Sequence, residues 1–248
     1  MSDPISPPAA APSSPRMTTG CIMLLFVGFW LAALGAWMVW HMYAQVREMR
    51  TFTDHAAQVI HPDQPAGEAL AELRGRLEAF AKSVEAGTQA KLELSTADLN
   101  HLLSAQEPVN RLKDIVRVEE ITDVVKLKVA LALNGIPFSG ERLYLNGFIM
   151  VRPEIKSDSG LVLLTRDLEV PGKTPSEGFK ASYLQANHMD GLAFEELRKD
   201  NRMKSLLTRI TSTRCEPGKV VLEFNPPVKT APGVPGTVKP AAAPAPVP

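Results

Sequence analysis

Residues 125–135 read VKLKVALALNG. Val125, Leu127, Val129, Leu131 and Leu133 alternate with Lys126, Lys128, Ala130 and Ala132, a period of two that gathers one apolar row on a single strand face. Asn134-Gly135 opens a turn, and a second strand is expected from Leu143 to about Ile155, with Leu143, Leu145, Ile149 and Val151 on one face. Ser157-Asp158-Ser159-Gly160 has tight-turn composition. Val162, Leu164, Leu168 and Val170 predict a third strand, ended by Pro171-Gly172. Consecutive strands joined by short polar turns make an antiparallel meander. Ile115 to Val118 offers a further strand before it, and Val220 to Phe224 one near the end.

The second strand is apolar on both faces. Tyr144, Phe148 and Met150 lie opposite Leu145 and Ile149, and Leu161 and Leu163 are read as the matching positions of the next strand. These five residues form a candidate apolar ligand face. Helices can cover it, as packed protein usually does, or a bound lipid chain can.

Helical sequence flanks the meander. HPDQPAG, residues 61–67, breaks the chain, and Leu70, Leu73, Leu77, Phe80 and Val84 then make one apolar stripe, with Gly87 suited to the helix end. Residues 175–213 read as helical. Met203, Leu206, Leu207 and Ile210 line one side there, and Lys199, Arg202, Lys204 and Arg209 the other. A basic amphipathic helix of this kind either lies on anionic lipid or docks on the sheet with its charges in water. The expected fold is α+β: a curved antiparallel β-meander with flanking amphipathic helices, preceded by one N-terminal transmembrane helix.

That anchor is the uncharged run Gly20–Trp40, GCIMLLFVGFWLAALGAWMVW. At 1.5 Å per residue it spans roughly 30 Å, a bilayer core. Trp37, Trp40 and Tyr43 sit at its far end, where amphipathic rings favour the headgroup zone. Ala33-Leu34-Gly35 resembles a signal-peptide cleavage site, but the basic leader is nearly absent and apolar residues continue past it. Basic charge leaves orientation open: Arg16 precedes the span, and Arg47 and Arg50 follow it. Gly28, Ala32, Gly35, Val39, Met42, Val46 and Met49 recur at alternating spacings of four and three, continuing to Thr53, Ala56 and Ile60. They are the candidate helix–helix seam of a parallel homodimer, although an apolar span matches several registers by chance. The resulting organisation is a tail over 1–19, a transmembrane helix over 20–43, a juxtamembrane helix and linker over 44–66, the α+β domain over 67–225 and a Pro/Ala-rich tail over 226–248. Prolines without a periodic apolar face make both tails extended and disordered.

Composition narrows the function. Charge balances, with 27 basic and 27 acidic residues, and all three tryptophans fall in the membrane segment. Without a basic footprint or stacking platform, nucleic acid is not an expected partner. Cys21 precedes the apolar run, whereas a lipidation cysteine would follow it, and Cys215 lies far from it in sequence. The histidines show no helical metal-pair spacing, and there is no nucleophile elbow, phosphate loop or dinucleotide fingerprint. Neither a metal nor another cofactor is expected. A hydrolase using scattered carboxylates is the remaining enzymatic class.

One short stretch combines reactive residue types: LELSTADLNHLL, residues 92–103. Leu92 and Leu94 alternate as a strand, Ser95 starts a helix, and Asp98 three residues later suits a capping box. Leu99, Leu102 and Leu103 form the apolar arc, with His101 opposite it. Ser95 and Asp98 are thus structural polar residues. Asn100 lies on the flank, where its amide is expected to tie the helix to neighbouring backbone.

LSTADLNHLL, followed by RLYLNGFIMVRPEI and SGLVLLTRDLEVPG, resembles the YpmS-type group of single-pass, membrane-anchored extracytoplasmic proteins, over about residues 90–172. The resemblance implies a cytoplasmic N-terminus, an envelope domain without established catalysis, and a shape loosely similar to tubular lipid-binding modules. The long 175–213 region and the Pro/Ala tail depart from that pattern. The functional expectation is a membrane-anchored binding or assembly domain with envelope protein partners. Lipid or amphiphile binding by the apolar sheet face is the alternative.

Overall fold

The computed structural model describes residues 19–63, 67–133 and 142–226. The Asn134-Gly135 turn and almost all of both tails lie outside the described residues. The chain divides into two units, one ending at Phe52 and the other starting at Thr53.

Among the described residues the first unit is one helix, α1 (Thr19–Phe52), long and apolar enough to cross a membrane. Its 34 residues make a rod of about 50 Å, so the apolar run of residues 20–40 and its extension are one continuous helix. Gly28, Ala32, Gly35, Met42, Val46 and Met49 all lie on it, but Thr53, Ala56 and Ile60 fall beyond its end. The heptad-like seam therefore stops at Met49. Past the helix, Asp54 pairs its backbone with Tyr144, donating over 3.0 Å and accepting over 2.8 Å.

The second unit is mixed helix and sheet, built on two antiparallel sheets. Its elements are α2 (Gly67–Glu85), β1 (Ala90–Ser95), α3 (Thr96–Ala105), β2 (Val116–Ile121), β3 (Val125–Leu133), β4 (Leu143–Lys156), β5 (Gly160–Glu169), α4 (Glu177–Ala186), α5 (His188–Phe194), α6 (Asn201–Arg209), β6 (Ser212–Glu216) and β7 (Lys219–Phe224). The meander is the sheet β2-β3-β4-β5, and a separate sheet has the order β1-β7-β6. Leu73 of α2 packs on Leu92 and Leu94 of β1, while Leu207 and Ile210 pack on Leu161 of β5.

Helix ends follow from local chemistry. After α2, Gly87 takes φ 69°, and Thr88 and Gly87 donate to the carbonyls of Ser83 and Val84. The 175–213 region is not a long helix. Asn187 in the left-handed conformation (φ 47°) separates α4 from α5, and Asp200 caps α6 by accepting from the Arg202 and Met203 amides. From Ser212 the chain is already strand β6. The basic side of α6 is docked: Arg202 pairs with Glu85 at 2.7 Å and Glu78 at 3.2 Å, and Arg209 donates to the Val84 carbonyl.

The register of the meander changes one face assignment. Val125, Leu127, Val129 and Leu131 share a buried face with Leu145, Ile149 and Val151. In β5, Leu161 pairs with Ile155 and Leu163 with Pro153, on that same face. Arg166 is an extra residue between Thr165 and Asp167, and this bulge flips the alternation, so that Leu168 returns to the buried face opposite Ile149. Leu161 and Leu163 therefore do not join Tyr144, Phe148 and Met150. Counting alternate residues through β5 misses the inserted one.

Candidate binding groove on the outer face of the meander

The face opposite the core carries Tyr144, Asn146, Phe148 and Met150, all half-buried. An extended strap, Thr53–Asp63, runs across it. The Asn146 side chain donates to the Asp54 carboxylate and the Ala56 carbonyl, each at 2.9 Å, and accepts from the Gln58 amide at 2.9 Å. At the strap's far end, Arg117 of β2 donates to the His61 carbonyl and pairs with Asp63, both at 3.0 Å. Ala130, which pairs with Asn146, is almost wholly buried, as is Ile60 on the strap. An asparagine in mid-strand sacrifices β propensity, but here its amide fixes three polar groups of a segment that has no ladder of its own.

Asp54 is the second fixed point. Lys173 donates to its carboxylate at 2.6 Å and to the Thr53 carbonyl at 2.8 Å. The Lys173 hydrogen bond, then that of Asn146, holds the Asp54 carboxyl below the usual carboxylate range.

Beside the strap an open groove lies between Phe148 and the chain from Leu168 to Pro175, with Lys173 and Lys180 on its wall. Lys126 sits 4.5 Å from the centre of the Phe148 ring, a cation–π contact. Each lysine also has an acid: Lys126 with Glu169 at 3.4 Å, Lys180 with Asp167 at 3.4 Å, and Lys173 with Asp54. The groove thus offers an apolar floor and a charge-compensated rim. Such a surface can hold a ligand by apolar contact and hydrogen bonds.

The polar cluster of residues 95–101 is built for structure. The Ser95 hydroxyl accepts from the Asp98 amide at 3.1 Å, and the Asp98 carboxylate accepts from the Ser95 amide at 2.9 Å. Asp98 also accepts from Arg76 at 2.5 Å. Burial pushes the Asp98 carboxyl up, but Ser95 and Arg76 together outweigh it, and the net shift is downward. Asn100, not a leucine, is the buried residue of α3. Its side chain donates to the Val118 carbonyl at 2.9 Å and accepts from the Val118 amide at 2.8 Å. It thereby replaces a neighbouring strand on the edge of β2. Leu99, Leu102 and Leu103 are only half-buried, because α3 presents its flank to that edge.

The opposite edge, β5, is closed the same way. Leu163 donates to the Asp190 carboxylate at 2.9 Å, Thr165 to the Asn187 side chain at 3.0 Å, and Arg198 donates to the Leu161 carbonyl while gripping Asp190. Taken alone, the sequence Asn187-His188-Met189-Asp190-Gly191 reads as a helix end and turn. The spacing of three from Asn187 to Asp190 against alternate strand amides becomes meaningful only once α5 lies beside β5.

Among the described residues no group of three or more histidines, cysteines or acids could hold a metal ion. Burial pushes the Tyr183 hydroxyl up to about 12, and Cys215 is a free, half-buried thiol whose pKa is raised, chiefly by burial.

The chain thus defines an α+β domain of two antiparallel sheets with an edge-sealed meander and a strapped outer face, preceded in sequence by an apolar helix. No protein-family model, curated protein or solved structure matches it.

Proposed function

We propose that this protein is a membrane-anchored, extracytoplasmic domain that acts by binding or assembly and not by catalysis, with its N-terminus in the cytoplasm. The observation that carries the reading is the groove at Phe148. It is apolar at its floor and open at its mouth, its two lysines Lys180 and Lys173 pair with Asp167 and Asp54, and Lys126 beside it pairs with Glu169. A ligand entering it need not bring charge, and its contacts are held in place by the strap and the sheet. This favours an uncharged, partly apolar stretch of another envelope protein over an anionic ligand. The lipid alternative keeps Tyr144, Phe148 and Met150, but Leu161 and Leu163 belong to the other face and the strap interrupts what remains.

The test places a photo-crosslinking amino acid at Phe148 in the full chain in its native membrane. Protein adducts that vanish when the same group is placed on the exposed Thr122 are the expected result. Lipid adducts alone would establish the amphiphile reading instead. No adduct of either kind would refute both. Reporter fusions at the two ends decide the topology, and a cytoplasmic C-terminus would overturn the localisation.

A further inference from the structure

The unit beginning at Thr53 has two sheets and therefore four edges. Side chains from α3 plug β2, residues of α5 and the turn after it close β5, and β6 lies against β4. β1 is different. Its Glu93 carbonyl points away from β7, because it accepts from Arg76 at 3.1 Å, and the Ser95 amide does so too, because it donates to Asp98. In an antiparallel ladder alternate residues face the same way, so Lys91 also turns its amide and carbonyl outward. Among the described residues the Lys91 amide and carbonyl and the Glu93 amide have no hydrogen-bond partner. An unpaired edge of this kind is a template for another strand.

We propose that β1 pairs with β1 of a second copy of this chain, antiparallel about a two-fold axis through Leu92, joining two three-stranded sheets into one. The sequence of the edge selects that partner and register. Only the odd residues present free backbone groups, so the axis must pass through Lys91, Leu92 or Glu93. An axis at Lys91 sets lysine against lysine, and one at Glu93 sets glutamate against glutamate. The axis at Leu92 alone puts Lys91 directly opposite Glu93 of the partner, twice, with opposite charges on one sheet face. A parallel, in-register pair would again oppose like charges. In the selected register each Lys91–Glu93 pair exchanges two backbone hydrogen bonds, four in all, and the Glu93 carbonyl has a second lone pair to share with Arg76. There is room beside the edge: an open groove runs along β1, lined by Arg76, Ala79, Phe80 and Ser83 of α2. A six-residue edge is a small interface. Anchoring both copies in one membrane would raise their effective concentration and make such a contact sufficient.

The experiment uses the full chain in membranes, with Cys21 and Cys215 replaced by serine. Chains carrying Lys91→Cys and chains carrying Glu93→Cys are expressed with different tags, separately and together, and oxidised. The expected result is a disulfide dimer at least tenfold more abundant in the mixture than in either chain alone, since opposed positions in a ladder fall within disulfide range. Equal cross-linking in the single-variant samples, no cross-link, or a cross-link to a polypeptide of another mass would each overturn the proposal. A second measurement does not depend on cysteines. K91E and E93K chains should each lose co-purification with their own kind and regain it when mixed, because each then supplies the charge the other lacks. Failure of the mixture to restore association would equally refute it.

Discussion

Replacing Asn100 with leucine should destabilise the domain far more than any other change on α3. The side chain is about 4% exposed and makes two short hydrogen bonds to a single residue, Val118, on the edge of β2. Leucine has the same branched outline, but its two methyl groups are bulkier than the planar amide, so the variant carries a packing cost as well. The Val118 amide and carbonyl would then face a hydrocarbon. Each buried unsatisfied group costs about 1–3 kcal/mol, and extra apolar burial recovers only part of that. The expected loss is about 2–4 kcal/mol, or a fall in Tm of roughly 5–15 °C for a domain of this size. The assay is denaturant unfolding of the full chain in detergent, followed by far-UV circular dichroism, with hydrogen exchange of the peptide containing Val118 as the local readout. Asn100→Asp sharpens the test. An ionised aspartate can accept from the Val118 amide but repels its carbonyl, whereas the protonated acid can serve both. Burial raises an aspartate pKa above its unfolded value, so the protonated form gains ground in the folded state. Relative to the parent protein, this variant should therefore recover stability as pH falls toward 4. A leucine variant within about 0.5 kcal/mol of the parent, with unchanged exchange at Val118, would refute the idea that the amide substitutes for a strand.

Three further outcomes follow from the same geometry. The Asp54 pKa is lowered by Lys173 and Asn146, so the folded state binds fewer protons than the unfolded state as pH falls through the ordinary aspartate range. The stabilisation is complete above the unfolded value and is lost as pH drops through the folded one. Protection of the backbone amides of residues 53–63, measured against the intrinsic exchange rate at each pH, should fall on acidification, and Asp54→Asn should flatten that response. Gly160→Ala should destabilise strongly, because φ is +71° and an added Cβ would stand 2.5 Å from the Leu207 carbonyl oxygen; a Tm unchanged by the substitution would contradict the close approach of β5 and α6. Asp190→Ala should cost about 2–4 kcal/mol by unfolding, since it strands both the Leu163 amide and the Arg198 guanidinium, while Asp190→Asn, which keeps an acceptor, should cost about half as much.

The parts of this fold that were legible in the sequence are those in which one residue's neighbours decide its state. The alternation from Val125 to Leu133 defines its strand without reference to anything distant, and the Ser95–Asp98 cap and the Gly87 helix stop are decided within a few residues. The bulge at Arg166 is decided by pairing: the run from Leu161 to Val170 reads as smooth alternation until β4 sets the register, after which Arg166 is surplus and bonds to Glu154. β6 was hidden for a similar reason, since Ser212-Thr213-Arg214 has no apolar row and is a strand only because β7 accepts it. The candidate groove belongs to this second kind. Phe148 was visible as an apolar residue on the outer face, but Asp54, Asn146 and Lys173, which hold the strap beside it, lie up to 119 residues apart in the chain. The general clue was polarity out of place. Asn100 within a leucine arc and Asn146 within an apolar strand each sit where the local pattern would choose hydrocarbon, and each satisfies distant backbone that has no ladder partner. Such residues report long-range packing before any pairing is known. The pattern also isolates β1 as the exception: among the described residues no side chain meets the outward amide and carbonyl of Lys91 or the outward amide of Glu93.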